Sequence, residues 1–377
     1  MKILVIAVHF AEYATNLALE LARTHSVRLI VNGPNFDNEI DNWPIPDTQG
    51  RLEIFKLRHK LSPVVLIENI VRITTLAREF KPDVIHIQEE LKDYLIGALP
   101  FLPSAPKVLT IHDPKPHSGH DPRKLKFSRR RFYETFLRRS CQGIVIHSDR
   151  LLKEAASFKE LQHAQIAVAP HGPLGIYASL AINNNWQAGR CLFFGRIEAY
   201  KGLGIFLDAL DILVKRGVPI QGVIAGRGSD LEQYRQRISQ SPHIELQEKF
   251  LSPDEVISEF DRANLVVLPY LDATQSGVGA YAIGRGRPMV ASNVGGLGEM
   301  CVEQVNGLLV KPSSSEDLAA AIEKLVTNQD KSRAFALASR ELANHQLSWA
   351  YAAQQTTLLY SELIKGEKHT PHESSTP

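Results

Sequence analysis

Short apolar runs rich in Val and Ile recur along the chain, each followed by a longer segment whose apolar residues return every three or four positions. That alternation predicts parallel strands covered by helices on both faces. In the first half, Ile3–Val8, Val27–Val31, Val84–Ile87, Val108–Ile111, Gly143–His147 and Ile166–Ala169 read as strands, and Ala14, Leu17, Ala18, Leu21 and Ala22 mark the buried face of the helix after the first strand. In the second half the strands read Cys191–Phe194, Gln221–Ala225, Ile244–Leu246, Asn264–Leu268, Pro288–Ala291 and Gly307–Val310. Between the halves, Ile182–Gly189 is a polar run that neither period explains. The expected organisation is an α/β domain over 1–180, a linker at 181–188, a second α/β domain over 189–347, a helix over 348–365 and a polar tail, 366–377, expected to be disordered.

Composition fits this picture. The 377 residues are 44% apolar and 22% charged, which excludes a disordered or collagenous chain. The length exceeds the ~250–300 residues at which single cores stop growing, so two domains with a cleft between them are expected. Cys141, Cys191 and Cys301 are far apart and show no metal or disulfide spacing, which fits a reducing cytosol. The apolar start ends at His9, too soon for a signal peptide. The longest apolar stretch, Tyr94–Leu102, is broken by Pro100, so no membrane span and a cytoplasmic location are expected.

Charge is uneven, with 24 Lys/Arg against 19 Asp/Glu in residues 1–170. Within 121–139, eight cations face Asp121 and Glu134, with Phe127, Phe132, Tyr133 and Phe136 interleaved. Two readings stay open: a solvated helix face, or a surface for an anionic membrane or a phosphorylated acceptor. A near-neutral chain does not suit nucleic acid.

The chemistry concentrates in loops at strand ends of the second half. Phe194-Gly195-Arg196 runs on to Lys201-Gly202, so two cations bracket a turn into a helix, the arrangement of an anion site. Gly226-Arg227-Gly228 ends the next strand, and Asp272-Ala273-Thr274-Gln275-Ser276-Gly277-Val278-Gly279 precedes another helix. There Ser276 suits the cap, and the amides of Gly277 and Val278 suit a phosphate. Asn293-Val294-Gly295-Gly296 adds a further glycine-bearing turn. No Asp-x-Asp triplet occurs, so no metal is implied.

Taken in order, these segments resemble retaining glycosyltransferases of family four, which have the GT-B fold: two Rossmann-like doubly wound domains facing across a cleft. The resemblance runs over nearly the whole chain. It includes Leu268-Pro269-Tyr270, the Gly286-Arg287-Pro288 turn through Gly296, Asn306–Val310, and the Ser348-Trp349 to Tyr360 helix, which in that fold crosses back to the first domain.

The resemblance implies that Arg196 and Lys201 bind the donor diphosphate with Ser276, Gly277 and Val278. It sets Gly226, Phe250, Leu251 and Tyr281 at the donor nucleoside, and His112, in Thr110-Ile111-His112-Asp113, near the transferred sugar as the catalytic candidate. His9, Glu12 and Tyr13 border the acceptor or simply fill their loop. His86 reads as a satisfied core histidine, and His171 as part of a structural turn.

Two departures stand out. The usual pair of glutamates falls on Ala273 and Tyr281, and the usual glycine pair after the first strand is replaced by Val8-His9-Phe10-Ala11-Glu12-Tyr13. The implied activity is metal-independent, retaining transfer of a sugar from a nucleoside diphosphate sugar to a saccharide or lipid-linked acceptor hydroxyl in envelope or exopolysaccharide synthesis. No cofactor is implied beyond the donor, and the enzyme would be cytoplasmic, with 121–139 on an anionic membrane surface. The alternatives are a nucleotide-sugar epimerase and a degenerate protein that holds nucleotide sugar without turnover.

Overall fold

The computed structural model of the protein describes residues 1–40, 43–58, 62–90, 92–112, 129–175 and 186–366. These form two compact units.

The first unit holds the residues up to 172 and the helix Trp349–Lys365. Its strands are β1 (Lys2–Ala7), β2 (Ser26–Asn32), β3 (Leu52–Leu57), β4 (Val84–Gln88), β5 (Lys107–Thr110), β6 (Gly143–Ile146) and β7 (Gln165–Val168), in the order β3-β2-β1-β4-β5-β6-β7. Every pairing is parallel; β1 is in register with β2 from Lys2↔Ser26 to Ala7↔Val31. Ile3, Leu4, Val5 and Ile6 are fully buried because helices cover both faces of the sheet. β3 is not among the strands expected from the apolar pattern. This edge strand alternates apolar and charged residues, pairs only with β2 and buries only Leu57 fully, so it lacks the continuous apolar run of its neighbours.

The helix Trp349–Lys365 completes this unit. A Cβ on Gly172 would fall 2.3 Å from Trp349, and one on Gly143 would fall 2.7 Å from Leu363. Tyr360, wholly buried, hydrogen-bonds His86 of β4 through its hydroxyl.

The second unit covers residues 173–348. Its strands are β8 (Arg190–Phe194), β9 (Gln221–Ala225), β10 (Ile244–Gln247), β11 (Leu265–Leu268), β12 (Met289–Ser292) and β13 (Gly307–Val310), again all parallel, in the order β10-β9-β8-β11-β12-β13. The unit starts at Pro173, ahead of the 181–188 run expected as the linker, because residues 173–175 are tied down within it. Leu174 N–H donates to Ala280 O at 3.2 Å, and Arg285 Nη1 donates to Gly175 O at 3.1 Å. Residues 181–185 of that run, and 367–377 of the expected tail, lie outside the described residues. All three cysteines are buried, and burial pushes the Cys141 thiol up to about 12.

Candidate functional site

In the second unit the strand order reverses at β8, flanked by β9 and β11, and ligands of open α/β sheets bind at such a point, beyond the carboxyl ends of the strands. The loops that leave those strands are packed backbone to backbone. Gly226, at φ 138°, donates its N–H to Gln247 O at 3.0 Å, and a Cβ there would fall 2.0 Å from Gly195 O. Gly202, at φ 72°, makes an equally close approach to Pro269 O. Only glycine fits both positions.

This packing delivers Lys201 to the end of β8. Its side chain is buried, its Nζ lies 5.1 Å from the centre of the Tyr270 ring, and it would sit 3.1 Å from a Cβ on Gly195. Among the described residues Lys201 has neither an ion-pair partner nor a side-chain hydrogen bond. The stem is sheltered and no acid faces the ammonium among the described residues, so it is placed to meet an anion. Val278 approaches from the other side, its Cγ2 3.5 Å from the same Cβ position on Gly195. Val278 belongs to the helix Gly277–Gly284, whose cap is Ser276: Gly279 N–H donates to Ser276 Oγ at 3.1 Å. Gly277 is exposed, and among the described residues outside its own helix a Cβ there would meet just Leu174 Cδ1, at 3.9 Å. The first helical amides therefore open beside Gly195 and Lys201. Arg196 is exposed on the same loop, without an ion pair among the described residues.

The remaining residues assigned to the donor are more scattered. Phe250 is 67% exposed, with the Arg227 guanidinium 5.9 Å from its ring centre, whereas Leu251 is buried. Tyr281 stacks on Phe260 at 5.4 Å and lies against Gly175. Ala273, at the other expected glutamate position, is buried, and a Cβ on Gly295 would fall 1.4 Å from its carbonyl oxygen. Both positions thus serve packing.

In the first unit the strand order reverses at β1, and a buried histidine cluster sits beyond the ends of β4, β5 and β6. His112 Nε2 lies 3.0 Å from Gln88 Oε1, and His112 Nδ1 lies 3.2 Å from His147 Nε2. His147 Nδ1 lies 2.9 Å from Ala169 O, and His171 Nδ1 lies 2.7 Å from Gly172 O. Burial, reinforced by mutual repulsion, holds these imidazoles neutral: His112 is driven well below its ordinary value, His147 to about 3 and His171 to about 4. The imidazoles do not converge on a common centre, and no group of three ligands suited to a metal occurs among the described residues. His86 is fully buried, with both ring nitrogens satisfied by Tyr360 and Thr110, as expected of a core histidine.

Tyr13, read as bordering the acceptor, is instead interior. Its ring packs against His112, His147, His171 and Trp349 at 4.8–5.2 Å, its hydroxyl bonds Thr110, and burial raises its pKa. Glu12 is also buried, whereas His9 is exposed. In place of the usual glycine pair, Phe10 takes a left-handed backbone at φ 57°, and its ring lies against His112 at 4.1 Å. The helix that follows is capped from outside: Ala11 N–H donates to Asn35 Oδ1 at 3.1 Å and Glu12 N–H to Glu39 Oε2 at 2.9 Å.

Sequence reading missed Gln88 and His147 as the partners of His112. The signal was present: one polar residue ends each of three strands that lie side by side. The basic segment also changes character. It is described only from 129 onward, and Arg138 is buried in an ion pair with Glu89 at 2.8 Å, leaving Arg131, Phe132 and Arg139 exposed.

Two parallel-sheet Rossmann-like units with phosphate-type loops define a GT-B glycosyltransferase. Residues 188–328 match the family model for glycosyl transferases group 1, and residues 11–172 match that for glycosyltransferase family 4. The chain belongs to glycosyltransferase family 4. It is 26% identical over 300 residues to a glycogen synthase of Mycobacterium tuberculosis, covering 77% of this chain and 71% of that one. The fold is shared with sucrose-phosphate synthase of Thermosynechococcus elongatus (TM-score 0.70, 17% identity, 97% of this chain and 100% of that one). It is also shared with Anabaena HepE solved in complex with UDP-glucose (TM-score 0.64, 18% identity, 96% of this chain and 100% of that one). No described helix is long and apolar enough to cross a membrane.

Proposed function

We propose that the protein transfers a sugar, with retained anomeric configuration, from a nucleoside diphosphate sugar to the hydroxyl of a saccharide or lipid-linked acceptor in envelope or exopolysaccharide synthesis. The observation that carries this reading is Lys201, whose ammonium meets no acidic side chain among the described residues and lies beside Gly195 and the amide end of the Ser276-capped helix. A diphosphate is the anion that such an arrangement suits.

As the bond between the anomeric carbon and the diphosphate oxygen breaks, negative charge grows on the leaving group. Lys201, Arg196 and the amides of Gly277 and Val278 meet that charge, so in this reading the reaction needs no metal. The acceptor oxygen bonds the anomeric carbon on the face the diphosphate leaves, and the acceptor proton passes to a phosphate oxygen; no protein nucleophile takes part. His112, its ring nitrogens engaged by Gln88 and His147, gives the end of β5 the fixed shape and polarity against which the sugar rests. Exposed Arg131, Phe132 and Arg139 suit an anionic membrane surface carrying a lipid-linked acceptor, and the enzyme works at the cytoplasmic face.

Calorimetric titration with UDP, GDP, ADP and their glucose esters, followed by donor hydrolysis, tests the reading. One base should bind, with binding lost in Arg196→Ala/Lys201→Ala; no nucleotide binding would overturn it. A second reading, donor held without turnover, is favoured by Ala273 and Tyr281 standing where family members usually carry glutamates. Tight binding with no hydrolysis and no transfer would select it.

A further inference from the structure

We propose that Gln88 and His147 are positioning residues that hold His112 in one protonation pattern, Nδ1–H with a bare Nε2, through a one-way chain of hydrogen bonds from Gln88 to His112 to His147 to Ala169.

The chain follows from what each atom can do. Ala169 O only accepts, so His147 Nδ1 carries a proton and donates across 2.9 Å. A neutral His147 is then bare at Nε2, which lies 3.2 Å from His112 Nδ1, so His112 donates there. A neutral His112 is in turn bare at Nε2, the nitrogen that faces the Gln88 amide at 3.0 Å. Two acceptors do not bond, so Gln88 must present its NH2 to that nitrogen. Gln88 is fully buried, and with its oxygen toward His112 its Nε2 has no partner. Half a turn of the amide gives the orphan nitrogen an acceptor and His112 a donor. The oxygen-facing orientation needs one more ring proton in the pair, on His112 or on His147, so the amide's orientation is tied to the charge on the two histidines.

The surroundings favour the neutral pattern. Burial penalises an imidazolium at His112, the titratable groups that face it, His9, His86, His147 and His171, would add repulsion wherever one of them carried charge, and Phe10 and Tyr13 close its faces. His86 and Gln88 lie two apart on β4, as Thr110 and His112 do at the end of β5, so all four line one face of the sheet. Thr110 joins the rows, bonding His86 Nε2 at 2.6 Å and the Tyr13 hydroxyl. Nothing in the arrangement leaves a ring nitrogen of His112 free for general acid or base work; its part is to hold a fixed shape and polarity at the end of β5.

The inference rests on the transferase reading only in taking His112 to meet substrate. Its test is the nitrogen-15 spectrum of the full-length protein labelled at histidine, with His112 assigned by its loss in His112→Asn. At pH 7.5 the wild-type Nδ1 should be protonated and Nε2 bare; the reverse pattern overturns the proposal without requiring any Gln88 variant to fold. Gln88→Glu places an acceptor-only carboxylate against Nε2 and should raise the titration of His112 by at least about one pH unit. Gln88→Met, with neither donor nor charge, should not. Unchanged titration in Gln88→Glu also overturns the proposal. With UDP-glucose hydrolysis as the kinetic probe, the acid limb of kcat in Gln88→Glu should move up with the titration while KM stays constant. A spectral shift with a flat pH–rate profile would confine the chain to a structural role, and absence of UDP-glucose binding by the wild type would count against the transferase reading alone.

Discussion

Replacing Lys201 by Met should weaken nucleotide binding and leave the stability of the unliganded protein nearly unchanged. The methionine keeps the unbranched stem that packs beside Tyr270 and removes the ammonium, which has no acidic partner among the described residues. Without ligand no ion pair or side-chain hydrogen bond is lost, so stability should change by less than about 1 kcal/mol. For a folding unit of this size that is a shift of no more than roughly 2–4 °C in Tm. With a diphosphate bound, the same ammonium makes a charge-assisted contact of ~1.5–3 kcal/mol, so its loss should weaken nucleotide affinity roughly 10- to 150-fold. Thermal scanning with and without saturating UDP, beside calorimetric Kd values, reads both effects in one protein. A variant that melts lower than wild type without ligand and keeps its UDP affinity would refute the reasoning, since Lys201 would then be an ordinary structural cation.

Three further perturbations separate the contributions described above. Gly226→Ala must place a Cβ 2.0 Å from Gly195 O on a backbone at φ 138°, and should lower Tm by several degrees and abolish nucleotide binding; a wild-type melting curve would show that the two loops are not locked together. The histidine cluster should make stability fall with acid. His147 and His171 titrate near 3 and 4 when folded and near 6.5 when unfolded, so below pH 6.5 the unfolded chain takes up protons first. Their contribution is complete above pH 6.5 and is lost progressively toward pH 4 and below, and urea midpoints that stay flat between pH 7 and 5 would contradict it. Arg131→Glu/Arg139→Glu should weaken binding to anionic liposomes at unchanged Tm, whereas Arg138→Met should lower Tm through loss of its buried ion pair with Glu89 and leave liposome binding alone; co-sedimentation and melting distinguish them.

The fold was largely legible because a parallel sheet covered on both faces needs unbroken apolar strands, and Ile3–Val8 or Gln221–Ala225 announce themselves. β3 escaped because an edge strand needs only one apolar face. The glycine loops of the second unit were legible through chemistry: Gly195, Lys201, Ser276 and Val278 lie far apart in sequence, yet each ends a strand or opens a helix at the same edge of one sheet. The first unit's site was read less well. Tyr13 looked like a loop residue available to an acceptor because residues 8–13 contain no glycine and no clear period. The left-handed turn at Phe10 folds Tyr13 into the interior instead, a backbone choice that residue type does not disclose. His147 and Gln88 needed strand register to be seen, and a single sequence supplies register only once the strand order is known.

The position of the helix Trp349–Lys365 bears on the order in which the chain acquires structure during synthesis. When the first 172 residues have emerged from the ribosome, β1 to β7 are all available, but His86 lacks its Tyr360 partner, and Gly143 and Gly172 face no cover. The missing piece is made only after the whole of residues 173–348. The first unit is therefore last to be completed although first to be translated, and its apolar seam stays open while the second unit folds. A premature stop before Trp349 would remove no strand of either sheet, yet it would leave a histidine without its hydroxyl and an uncovered groove, a nascent chain that chaperones and proteases can tell from the finished one.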